Sequence, residues 1–115
     1  MTEPESLLHL ARDARGVATL TLNDPARFNA LGSEMLAALQ QALTELAQDD
    51  ALRVVVLAGA GKAFCAGHNL KDMAQHPELS WYQQLFAACS RVMLGITQLP
   101  VPVIARVHGM ATAAG

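Results

Sequence analysis

The chain has 115 residues and a formal charge of −2, from 8 lysines and arginines against 10 acidic residues; it is one small domain or part of a larger one, and no basic cluster marks it for nucleic acid. Its apolar share is 52% and its charged share 16%, against about 25% charged in an average soluble domain, which excludes disorder over most of its length. The longest uncharged stretch, 92–105, carries Pro100 and Pro102 and falls short of the about 18 apolar residues that cross a bilayer, so no membrane partner is expected.

The first residues, Met1-Thr2-Glu3-Pro4-Glu5, are acidic with no apolar signal core, and the expected location is cytoplasmic. Leu7 to Ala11 and Val17 to Leu22 read as strands around the turn Asp13-Ala14-Arg15-Gly16, with glycine where positive φ is cheap. Thr19 and Thr21 alternate with Ala18, Leu20 and Leu22, the period of a half-buried strand. Asn23-Asp24-Pro25 stops it. Ser33 is the expected N-cap of a helix in which Met35, Leu36, Leu39, Leu43 and Leu46 share a face, ending near Asp49-Asp50.

Arg53 to Ala58 is a continuous apolar, β-branched run, the mark of a buried parallel strand, closed by Gly59-Ala60-Gly61. A second long helix is expected from Trp81 to Thr97, with Leu85, Cys89, Val92, Met93 and Ile96 on one face. Leu99 to Pro102 must be extended, because proline pushes its predecessor out of the helical region. Val103 to Val107 is a further strand, and Met110 to Gly115 reads as a loop entering a small-residue helix start. Strand and helix alternate as in a mostly parallel α/β sheet. The apolar excess fits a fragment or a tightly assembled subunit better than a free-standing monomer of this length.

Common site patterns fail. Gly59-Ala60-Gly61 lacks the third glycine of a dinucleotide fingerprint, where Phe64 stands; Gly61-Lys62 lacks the hydroxyl of a phosphate loop, where Ala63 stands. No serine lies in a nucleophile elbow. Cys65 and Cys89 form neither a disulfide framework nor a zinc motif, and His9, His68, His76 and His108 have no metal-like spacing, so no metal is expected.

What remains is Gly61 to Met73. A buried strand ends there, a small-residue turn re-aims the backbone, and helical residues begin at Asn69 or Leu70. Such a turn leaves N–H groups without partners in a weakly positive setting. A second turn of the same kind, at Ala113-Ala114-Gly115, would complete a two-donor pocket for a carbonyl oxygen that becomes negative.

Lys62-Ala63-Phe64-Cys65-Ala66-Gly67-His68-Asn69-Leu70 resembles the signature turn of the crotonase (enoyl-CoA hydratase/isomerase) superfamily. Asn23 to Leu31, Val54 to Leu57 and Pro100 to Gly109 agree with it in order and spacing. The resemblance implies a crotonase-type spiral of ββα units, incomplete at the C-terminus, with 1–115 as the N-terminal part of a single core domain. It implies trimers or dimers of trimers, and an acyl-CoA thioester as substrate, with no cofactor beyond the coenzyme A that the substrate carries. The N–H groups of His68 and Ala114 would form the oxyanion hole that stabilises a thioester enolate. Ala66, Gly67, Asn69, Leu70 and Lys71 would line the substrate, and Arg27, Phe28 and Ala30 would contact coenzyme A.

Two departures bear on the reaction. Most hydratases of the family read Gly-Gly-Gly where this chain has Ala113-Ala114-Gly115, a variation resembling the branch of enoyl-CoA hydratase domain-containing proteins. The family's two catalytic glutamates would fall beyond Gly115. The expected function is therefore an enoyl-CoA hydratase/isomerase-type enzyme; the alternative is a homologue that binds acyl-CoA or builds an oligomer without hydration. Cys65 is expected as a small buried hydrophobe rather than a nucleophile, Lys62 and Lys71 as solvated, Asp72 as a first-turn charge complementing a helix dipole, and Trp81, Phe86 and Met93 as core or subunit contacts. His108 is expected to tie its loop.

Overall fold

The computed structural model describes residues 6–115; the acidic 1–5 segment lies outside the described residues. β1 (Leu8–Arg12) and β2 (Val17–Leu22) form an antiparallel hairpin. Asp13 closes it: its Oδ1 accepts the N–H groups of Arg15 and Val17 at 2.8 and 3.2 Å, an Asx turn. The Arg15 guanidinium beside Asp13 holds its carboxyl below the usual range. Gly16 sits at φ +84°, and a β-carbon there would lie 2.5 Å from the Ala51 carbonyl oxygen, which only glycine avoids.

β2 pairs parallel with β3 (Val54–Gly59), and β3 parallel with β4 (Val103–Ala105), giving the sheet order β1-β2-β3-β4. The alternation along β2 is as expected: Ala18, Leu20 and Leu22 are buried. They meet Leu36, Leu39, Leu43 and Leu46 of α1 (Ser33–Ala47) in one core, with Leu85, Cys89 and Val92 of α3 (Leu79–Gln98).

Several boundaries differ from the sequence reading by a residue or two, and the start of α1 and the end of β4 have physical reasons. Ser33 is not the cap of α1: Gly32 holds that position in extended conformation and no side-chain cap bond is made. A β-carbon on Gly32 would lie 3.1 Å from Asp72 Oδ2, so the Asp72 carboxylate approaches the start of this 15-residue helix and supplies the negative charge that helix N-termini favour. β4 ends at Ala105 rather than Val107; Arg106 still donates to Leu57 O at 2.8 Å, and His108 then turns back to bond Gly61 O at 2.6 Å. Ala113-Ala114-Gly115 forms a tight turn. Ala113 takes φ +51°, and Gly115 N–H bonds Thr112 O at 2.8 Å.

The candidate oxyanion site

Between β3 and α2 (Leu70–Gln75) the chain makes its first bend, 61–69. The second bend, 108–115, follows β4. Backbone bonds tie them side by side: Phe64 and Cys65 N–H donate to Met110 O at 2.9 and 3.1 Å, and Thr112 N–H donates to Cys65 O at 3.1 Å. Cys65 and Ala111 form a single parallel bridge, and the Thr112 hydroxyl donates to Ala66 O at 3.1 Å. The sheet explains this registration, because β3 and β4 are parallel neighbours and their exit loops leave in the same direction.

Gly67 is one of the points where the two bends come close. It has φ +82°, and a β-carbon there would lie 2.9 Å from Thr112 O, 3.1 Å from Ala113 Cβ and 3.2 Å from Ala114 N. His68 follows Gly67 directly. Among the described residues neither the His68 nor the Ala114 N–H donates a protein hydrogen bond. Most buried backbone donors are paired, so two free donors on adjoining bends are a candidate site for an acceptor.

A third segment joins them. Ala66 N–H donates to Phe28 O at 3.0 Å, and Leu31 N–H donates to Gly67 O at 2.7 Å. The structure thus brings Phe28, Ala30, Ala66, Gly67, His68 and Ala114 together. Arg27 stands at the edge, its guanidinium 3.4 Å from Asp24 Oδ1. It lines a cleft of about 410 Å³ with Asp24, Ala30, Asn69, Asp72 and Trp81. Asn69 caps α2, its Oδ1 accepting Asp72 N–H at 3.2 Å. Leu70 and Lys71 lie exposed on α2, with no hydrogen bond to either bend among the described residues. A cleft of about 890 Å³ lies elsewhere, between α1 and α3.

Asn29 is the residue the sequence reading missed. It is wholly buried, adopts φ +56° beside Phe28 at +54°, and directs Nδ2 at the carbonyls of Ala60, Ala63 and Phe64 at 2.9, 3.0 and 3.2 Å. It thereby fastens the 27–30 segment to the end of β3 and the first bend. The available signal was its type, since asparagine is the side chain that best tolerates left-handed backbone.

Cys65 is 2% exposed and its Sγ–H donates to Asn29 O at 3.1 Å. Burial pushes its thiol up, opposed by the Gly67 N–H, and burial alone pushes Cys89 up. The thiolate is the reactive form, so neither cysteine is expected to react with iodoacetamide near pH 7.5 in folded protein. Both should react fully in denaturant, as read by mass spectrometry; rapid folded-state labelling of Cys65 would restore it as a nucleophile.

A family model described as enoyl-CoA hydratase/isomerase matches residues 12–115, spanning both bends and the segment that joins them. The chain belongs to the enoyl-CoA hydratase/isomerase family. A crystal structure of an enoyl-CoA hydratase from Mycobacterium smegmatis is 61% identical with a TM-score of 0.95, covering 96% of this chain and 43% of that one. The mitochondrial enoyl-CoA hydratase domain-containing protein 3 of Xenopus laevis is 37% identical over 108 residues, 94% of this chain and 37% of that protein. The 1,2-epoxyphenylacetyl-CoA isomerase of Escherichia coli strain K12 is 38% identical, over 92% of this chain and 42% of that enzyme. The chain therefore spans well under half the length of these relatives. Its mixed sheet and packed helices are part of the α/β crotonase fold that the family shares. Among the described residues no helix is long and apolar enough to cross a membrane.

Proposed function

We propose that this chain binds the carbonyl of an acyl-CoA thioester on the N–H groups of His68 and Ala114, as part of an enoyl-CoA hydratase/isomerase-type enzyme. The observation that carries this reading is the pair of free N–H groups on two bends locked together by the 64–112 backbone bonds. Proton loss or water addition next to a thioester places negative charge on the carbonyl oxygen. Fixed donors aimed at that oxygen cost no reorganisation when the charge develops. Removing one such donor in a well-studied protease costs about 2.7–4 kcal/mol of barrier stabilisation, so two of them are a large share of a catalytic effect. Arg27, Phe28 and Ala30 would meet the coenzyme A portion, with no separate cofactor. The assembly proposed is a trimer or dimer of trimers in the cytoplasm.

The test is spectroscopic. Butyryl-CoA labelled with ¹³C at the thioester carbonyl is titrated with protein, and hydrogen bonding by two donors should move the bound carbonyl resonance downfield. Binding without a shift, or no binding, would refute the assignment.

A further inference from the structure

We infer that the acyl pocket of this site is built for a planar, aromatic acyl group, recognised by a shelf formed by Phe86 and Tyr82; this rests on the thioester reading above. The His68 ring meets Phe86 edge-on, with centroids 5.3 Å apart and planes at 71°. Phe86 and Tyr82, one helical turn apart on α3, lie nearly parallel, at 24° and 6.4 Å between centroids. Tyr82 is fixed at both ends: its hydroxyl donates to Met73 O at 2.5 Å, and its ring meets Trp81 at 83°. Phe86 remains 45% exposed.

The occupant follows from connectivity. A carbonyl oxygen held by the His68 N–H places its acyl carbon within a few ångströms of the same residue's side chain, and that side chain abuts Phe86. His68 Nδ1 is buried and has no hydrogen-bond partner among the described residues, so the ring is seated by this packing. The Phe86 and Tyr82 rings, within 24° of parallel and 6.4 Å apart, place two aromatic groups in succession on the side of α3 that His68 meets. A flexible alkyl chain gains only area there, whereas an aromatic ring also gains offset-stacked or edge-to-face attraction.

Calorimetry with phenylacetyl-CoA and hexanoyl-CoA, two saturated thioesters of comparable apolar area, tests the inference. The protein should bind the phenylacetyl thioester about two- to tenfold more tightly. Phe86→Leu should erase that preference, and Phe86→Tyr should keep it. Equal affinity for the two thioesters in the unaltered protein overturns the shelf and leaves the oxyanion reading standing. Equal losses for both thioesters in Phe86→Leu also overturn it, because Phe86 would then be packing rather than recognising. Binding of neither thioester overturns the oxyanion reading, and the shelf with it.

Discussion

Asn29→Ala is expected to lower stability by about 3–4 kcal/mol, read from the midpoint of urea unfolding. Truncation strips partners from Ala60, Ala63 and Phe64 carbonyls and from Asp24 N–H, which Asn29 Oδ1 accepts at 2.8 Å. A buried polar group left unmade costs about 1–3 kcal/mol, and Nδ2 has only two hydrogens to share among three carbonyls, so the losses do not simply add. Alanine also occupies left-handed backbone at a cost of about 1 kcal/mol. Asn29→Gly separates the two contributions: it relieves the backbone and not the clamp, and should be less destabilising than alanine by about 0.5–1 kcal/mol. Asn29→Asp keeps size and acceptor but turns an oxygen toward three carbonyls, so it should recover nothing. A loss under about 1 kcal/mol for alanine would show that solvent replaces the clamp.

This residue also marks where the sequence stops being readable. The helix of Met35 to Leu46 was legible because its apolar residues recur at helical spacing, and the run of Val54 to Ala58 because it is continuously apolar; both are local information. Asn29 finds its acceptors 31 to 35 residues downstream, and nothing in the intervening chain announces them. Ser33 failed as a cap for a related reason: besides Glu34 in its first turn, the start of α1 has the Asp72 carboxylate beside it, a tertiary neighbour. The bends themselves were legible because close approach demands small residues, which makes Gly67 visible as a type even though its neighbour is not.

That demand at Gly67 supports the second large effect. Gly67→Ala should weaken the downfield shift of a bound thioester carbonyl and lower affinity for butyryl-CoA relative to free coenzyme A by about twofold to tenfold. One hydrogen bond of about 0.5–1.5 kcal/mol sets that range. The added methyl would lie 2.9 Å from Thr112 O and 3.2 Å from Ala114 N, inside ordinary contact distance, at a φ that alanine rarely adopts. The second bend has little freedom to retreat. Thr112 is bonded through N–H to Cys65 O, through its hydroxyl to Ala66 O, and through its own carbonyl to Gly115 N–H. Strain must therefore rotate the 67–68 peptide or prise the bends apart, and either movement turns one donor from the shared point. In an assembly that turns over substrate, loss of one donor should cost about 10²–10³ in kcat. Gly95→Ala provides the comparison, since its methyl would meet only the flexible Leu43 Cδ1 at 3.3 Å and should leave the carbonyl shift intact. A Gly67→Ala protein that folds and still shifts the carbonyl fully would mean that the two N–H groups do not converge on it.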